Sequence, residues 1–263
     1  MDLGLTGRGA LVGGGSSGLG LATAEALAAE GCRLAIWSRN QAGLDTAAGA
    51  IRNRYGVEVA TIAADAADPA AARSVAEAAA AALGEIDIVV LNAGGPPTVD
   101  PTATDPEQWA RSLQLLATTP IELATAFLPA MRARSWGRIV GILSSGVRQP
   151  IPDLVYSNSG RSALMAWLKT AARAVAVDGV TINGVIPGRL STPRVASLDA
   201  GRAASTGQSI DQVLAGHMAT IPAGRYGRPE ELAALVAFLC SDGAGYITGT
   251  FTAVDGGLIA GLP

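Results

Sequence analysis

Short apolar runs alternate with longer, often alanine-rich stretches along most of this chain. Ala10 to Val12, Arg33 to Trp37, Val57 to Ala63, Ile86 to Leu91, Arg138 to Leu143, Val180 to Ile186 and Thr250 to Val254 read as strands. Between them, Leu21 to Glu30, Gln41 to Arg54, Pro69 to Leu83, Pro106 to Ala117, Pro120 to Arg134, Leu154 to Val177 and Pro229 to Ser241 read as helices, with Pro69 in the permitted first turn. Buried-type strands alternating with helices predict an α/β fold, a parallel sheet covered on both faces. No linker and no fixed-period repeat interrupts the pattern, so residues 1–263 read as a single domain.

One stretch departs from the pattern. Gly188 to Thr220 is long, polar and flexible in composition, carrying Arg189, Ser191, Thr192, Arg194, Arg202, Ser205 and Gly207. It follows the Val180 to Ile186 strand, and ligands of doubly wound sheets bind beyond the carboxyl ends of strands. Residues 188–220 are therefore expected to form a substrate lid, a plain surface excursion being the alternative.

Composition narrows the class. With 49% hydrophobic and 16% charged residues, the chain has the makings of a large buried core. A net charge of −3 and the absence of a basic run argue against a nucleic-acid or membrane partner. Cys32 and Cys240 lie in apolar segments and read as reduced core thiols. His217 is the only histidine and lacks ligand spacing, so no metal site is expected. Met1 to Gly9 holds no hydrophobic signal region, and no apolar stretch reaches the ~20 residues of a membrane span. The expected location is cytoplasmic.

The chemistry begins at residues 10 to 20, Ala-Leu-Val-Gly-Gly-Gly-Ser-Ser-Gly-Leu-Gly. A strand, a glycine turn and a helix opening in that order make a phosphate site. The glycines admit a pyrophosphate to the backbone, and the helix N-terminus offers free N–H groups and partial positive charge. The bland alternative is a tight turn that binds nothing.

Gly14, Gly18 and Gly20, then Asn92-Ala93-Gly94, then Pro187-Gly188 with Thr192, and finally Val254-Asp255-Gly256-Gly257 resemble the ordered motifs of the short-chain dehydrogenase/reductase family. Within it, the chain looks most like the 3-oxoacyl-(acyl carrier protein) reductase-like members. The resemblance covers essentially the whole chain and implies a Rossmann-like, doubly wound parallel sheet. It places the pyrophosphate on Gly14, Ser16, Ser17, Gly18 and Gly20, with Leu19 beneath the cofactor. It places adenine at Asp65 and Ala66, the adenine ribose at Asn92, Ala93 and Gly94, and the nicotinamide at Pro187, Gly188 and Thr192. At the end of the second strand, Trp37-Ser38-Arg39-Asn40 lacks the carboxylate that would bind a ribose 2′-OH. Arg39 can pair with a 2′-phosphate and Ser38 can donate to it, so NADP(H) is favoured over NAD(H). Otherwise Arg39 is a solvated residue stacking on adenine. Gly13 stands where the family has threonine, which is expected to soften the turn slightly.

The catalytic segment departs further. The family places a serine, then a tyrosine acid/base about thirteen residues on, then a lysine four beyond. Aligned on Ala163-Leu164, Arg161 takes the lysine position and Ser157 the tyrosine position, with Ser144 kept. Ser145 is the alternative under a one-residue slip. Tyr156 is one residue out of register, or about 100° around a helix, so only a local distortion brings it to the site. Leu116 replaces the family's asparagine. An aliphatic hydroxyl is a far weaker acid than a phenol and needs a relay to water; Arg161 can hold ribose hydroxyls but stays protonated.

The leading expectation is an NADP(H)-dependent oxidoreductase with an atypical tetrad of Ser144, Tyr156 or Ser157, and Arg161, acting on a small-molecule carbonyl or alcohol. The alternatives are a nucleotide-binding protein without turnover and a redox-neutral isomerase or lyase. Gly95-Pro96-Pro97 is expected to form a stiff pocket wall. Arg148, Arg189 and Arg194 either attract an anionic substrate or are solvated. Trp136 and Trp167 read as packing or subunit-contact residues. The resemblance implies pairing of the Ile121–Arg134 and Leu154–Val177 helices across a homodimer or homotetramer interface.

Overall fold

The computed structural model describes residues 2–261; Met1, the first residue of the stretch read for a signal region, lies outside them. Seven strands form one sheet: β1 (Gly9–Gly13), β2 (Arg33–Ser38), β3 (Val59–Ala63), β4 (Ile88–Leu91), β5 (Gly137–Ile142), β6 (Val180–Pro187) and β7 (Phe251–Val254). Their order is β3-β2-β1-β4-β5-β6-β7, and every pairing is parallel.

The near-continuous apolar runs follow from burial on both faces. Successive side chains of a strand point to opposite sides. Ala10 and Val12, Leu34 and Ile36, and Ile88 and Val90 enter one core. Leu11, Ala35 and Trp37, and Val89 and Leu91 enter the other. The first core is closed by α1 (Gly18–Ala29), α2 (Gln41–Tyr55) and α9 (Pro229–Cys240) through Leu27, Leu44, Leu232 and Val236. The second is closed by α3 (Ala71–Leu83), α5 (Thr119–Ala133) and α6 (Val155–Val175) through Val75, Leu123 and Leu168. Cys32 and Cys240 are both free thiols buried in the first core. Burial pushes the Cys32 thiol up to about 12, so it is inert as a nucleophile near neutral pH. Trp136 lies between the guanidinium groups of Arg8 and Arg138 at 3.8 and 4.3 Å, and Trp167 packs on the second core.

Three features differ from the sequence pattern. Pro69 sits in the turn before α3, which begins at Ala71. The stretches from Pro106 and from Pro120 are not separate helices: α4 (Pro106–Leu113) runs through a π-helical turn, Gln114–Thr118, directly into α5. Proline is accommodated because Pro120 falls in the first turn of the regained α-helix. The polar excursion over 188–220 is largely helical, with α7 (Pro193–Thr206) and α8 (Ile210–Ala219). Its polar residues supply the caps: Thr192 accepts from Val195 N, and Ser209 with Gln212 forms a capping box. Among the described residues, no helix is long and apolar enough to cross a membrane.

Candidate active site

The strand order reverses between β1 and β4, and a cleft of about 2000 Å³ opens there at the carboxyl ends of the strands. The glycine turn forms its floor. Gly14 has φ +64°, a left-handed conformation that a side chain would strain. A Cβ at Gly20 would collide with the carbonyl oxygens of Gly13 and Gly14, so Gly20 supports the turn from behind and does not itself line the cleft. Ser17 opens α1 without a side-chain cap, leaving the first-turn N–H groups for an anion. The softening expected from Gly13 is offset. Asn92 Nδ2 donates to the Gly13 carbonyl at 3.0 Å and ties the turn to the end of β4, and a Cβ at Gly13 would strike the Asn92 carbonyl oxygen.

At one end of the cleft, Ser38 Oγ donates to Ser16 Oγ at 3.0 Å, and Asn40 N donates to Ser38 Oγ at 3.3 Å. Arg39 beside them is exposed and forms no ion pair or hydrogen bond among the described residues. Asp65 is held by Arg111 at 2.9 Å, and the Ala66 carbonyl accepts from Thr119. Thr192 and Pro193 at the start of α7 come up against Gly18 at the start of α1. Gly188 is pressed against Asp255, whose carboxylate accepts from Gly257 N and Ile259 N.

The other end gathers Ser144, Ser145, Ser157 and Arg161 on the cleft wall. Ser144 Oγ accepts from Gly146 N at 3.1 Å, leaving its own proton free to donate. Arg161 is buried; Nη1 donates to the Ile142 carbonyl at 2.8 Å and Nη2 to the Ala93 carbonyl at 3.2 Å. Burial, then nearby Arg194, lowers its pKa to about 10, so it remains a cation at neutral pH.

Tyr156 does not join this group. It is 2% exposed, it does not line the cleft, and its hydroxyl accepts from Asp105 N at 2.9 Å at the start of α4. Its ring meets Trp109 edge-on at 4.8 Å between centroids. α6 is regular α-helix from Val155, so no bulge rotates the phenol inward. Leu116 is likewise buried behind the wall, against Gly160, and Leu115 lines the cleft. Arg189 and Arg194 line it and Arg148 does not.

Sequence reasoning missed several wall residues. Gln149 to Leu154 forms one side, clasped by Asn158, whose amide donates to the Ile151 carbonyl and accepts from Ile151 N. The prolines at 150 and 152 were the available signal, matching Pro96 and Pro97 opposite. Leu258, Ile259 and Ala260 contribute from beyond β7. His217 enters through a cluster that joins α7 and α8. Arg189 donates to Asp199 and to His217 Nε2, both at 2.9 Å, so Nδ1 carries the proton and faces Asp199 at 3.1 Å. Tyr226 donates to the other Asp199 oxygen at 3.1 Å.

Residues 14–259 match the family model described as enoyl-(acyl carrier protein) reductase. The chain is 35% identical over 252 residues to 3-oxoacyl-(acyl-carrier-protein) reductase FabG of Escherichia coli K12, covering 96% of this chain and 97% of that one. L-Sorbose reductase from Gluconobacter frateurii, solved with NADPH and L-sorbose, superposes with a TM-score of 0.94 at 33% identity and full coverage of both chains. A variant of actinorhodin polyketide ketoreductase, solved with NADPH, gives a TM-score of 0.91 at 30% identity, covering 96% and 97%.

Proposed function

The chain belongs to the short-chain dehydrogenase/reductase family, and on that footing we propose that it is an NADP(H)-dependent oxidoreductase that reduces a carbonyl or oxidises an alcohol with a non-standard acid/base. The observation that carries the reading is the convergence of Ser144, Ser157 and Arg161 on one end of the cleft whose floor is the glycine turn. The cradle fits a dinucleotide: Gly14 holds the left-handed φ of the turn, Gly20 backs it, and the first turn of α1, uncapped by Ser17, offers its N–H groups beside the start of α7. The relatives solved with NADPH support the same assignment. Gly14, Ser16, Ser17, Gly18 and Leu19 would hold the pyrophosphate, Ser38 and Arg39 a 2′-phosphate, Asp65 and Ala66 the adenine, Asn92 to Gly94 the adenine ribose, and Pro187, Gly188 and Thr192 the nicotinamide. When bound, the cofactor supplies or accepts the hydride.

The protein's own part is alignment and proton handling. Ser144 donates to the substrate oxygen and fixes the carbonyl. Arg161 holds ribose hydroxyls and places positive potential beside the developing alkoxide. Ser157, one turn before Arg161 on α6 and on the same cleft wall, passes a proton between that oxygen and water. Without a phenol in position, turnover is expected about 10²–10⁴ slower than with an optimal general acid. The two-helix lid, α7 and α8, closes the substrate side.

A second reading, dinucleotide binding without redox turnover, draws on one observation: among the described residues, no tyrosine or lysine lines the cleft. Steady-state reduction of a carbonyl panel separates the two. The oxidoreductase reading expects measurable NADPH oxidation that Ser157→Ala and Arg161→Ala abolish and Tyr156→Phe spares. Tight NADPH binding with no turnover on any carbonyl or alcohol contradicts it.

A further inference from the structure

Arg194 is the second residue of α7, and its side chain reaches to the opposite wall, where Nη2 donates to the Pro96 carbonyl at 2.7 Å. Its guanidinium lies on Gly95: a Cβ there would sit 2.9 to 3.1 Å from Nη2, Nε and Cζ. Arg161 approaches the same segment from below, bonded to the Ala93 carbonyl. Two cations, Arg161 buried and Arg194 exposed on the cleft, therefore flank residues 93–96 and spend their fixed hydrogen bonds on neutral carbonyls. Neither has a carboxylate partner among the described residues, while Asp65 and Asp199 are committed to Arg111 and Arg189. Each is held below the usual arginine range by burial, and Arg161 also by Arg194.

A cation without counter-charge that opens onto the cleft beside a second, buried one favours an anion, and the guanidinium fork matches a carboxylate. The place is fixed by Ser144 and Ser157 on the same wall, at the β4 and β5 ends, and not at the β2 end where Ser38 and Arg39 lie. We propose that Arg194, with the positive field of Arg161 behind it, forms an oxyanion subsite beside the reacting carbon, so that the substrate is an oxo acid, or the matching hydroxy acid, with its carboxylate one or two carbons from the carbonyl. This rests on the oxidoreductase reading above. The same chemistry has a second source, the dinucleotide's own pyrophosphate, because α7 also faces Gly18.

The test uses the full chain and binding measurements, so it does not depend on turnover. NADPH affinity is titrated by nucleotide fluorescence for the wild type, Arg194→Gln and Gly95→Ala. NADP⁺-saturated protein is then titrated calorimetrically with 2-oxobutanoate and 3-oxobutanoate, each against its methyl ester. The proposal expects the wild type to prefer one acid over its ester, and Arg194→Gln to lower that acid/ester ratio by about 30-fold with NADPH affinity kept. Gly95→Ala, which displaces the guanidinium by steric contact alone, lowers the same ratio. No acid/ester preference in the wild type overturns the proposal. Loss of NADPH affinity in Arg194→Gln at an unchanged ratio assigns the arginine to pyrophosphate and also overturns it. If wild-type NADPH binding itself is absent, the oxidoreductase reading fails first.

Discussion

At the residue scale, the chemistry turns on adjacent positions of one helix turn. Ser157 faces the cleft and Tyr156 faces α4, where its hydroxyl receives the Asp105 N–H. Tyr156→Phe removes that acceptor and is expected to cost about 0.5–1.5 kcal/mol by thermal unfolding, with dinucleotide affinity unchanged. Ser157→Tyr combined with Arg161→Lys rebuilds the family's usual pair, and a gain in kcat of about tenfold or more for carbonyl reduction is expected if Ser157 is the weak link in proton transfer. The one-residue offset came with the resemblance, through the alignment on Ala163-Leu164, and helix geometry, which separates neighbours by about 100°, gave its consequence. Leu116 was placed by counting, but its burial behind Leu115 was not legible. That depends on the π-helical turn, which has no period in the sequence.

At the element scale, residues 188–220 show where pattern reading runs out. Polar composition over 188–220 concealed α7 and α8, since both helices are amphipathic only weakly and are fastened by polar contacts instead of an apolar face. The fastening is the Asp199 cluster, which joins α7 to His217 on α8, to Arg189 after β6 and to Tyr226 before α9. The charged and titratable groups facing His217 are Asp199, Arg189, Arg202 and Tyr226. Burial first and Arg189 second hold its pKa below the ordinary 6.5. The folded state therefore binds fewer protons at His217 than the unfolded state does. Its stabilising contribution is full above about pH 6.5 and declines as the pH falls toward the depressed folded value. Protonation would set an Nε2–H against the Arg189 donor and loosen α8. Thermal unfolding between pH 7.5 and 5.5 is expected to fall more steeply for the wild type than for His217→Gln; parallel curves would contradict a contribution of His217 to this pH dependence.

At the scale of the whole molecule, the alternation of apolar runs and helices was enough for the parallel sheet, because strands buried on both faces must read as continuous apolar segments. The doubly wound, Rossmann-like arrangement came with the resemblance, and the structure bears it out; the strand order and its reversal between β1 and β4 are read from the structure. Subunit pairing is a matter for solution measurement: light scattering is expected to give two or four times the 26.4 kDa chain mass, and a monomer would remove that expectation. The most direct test of the account is a fluorescence titration of the purified protein with NADPH and NADH, repeated for Arg39→Ala. The account predicts that NADPH binds about tenfold or more tightly than NADH and that Arg39→Ala abolishes the difference while leaving NADH binding in place. Equal or tighter binding of NADH would contradict the cofactor assignment at Ser38 and Arg39, and failure of the folded protein to bind either nucleotide would contradict the oxidoreductase reading as a whole.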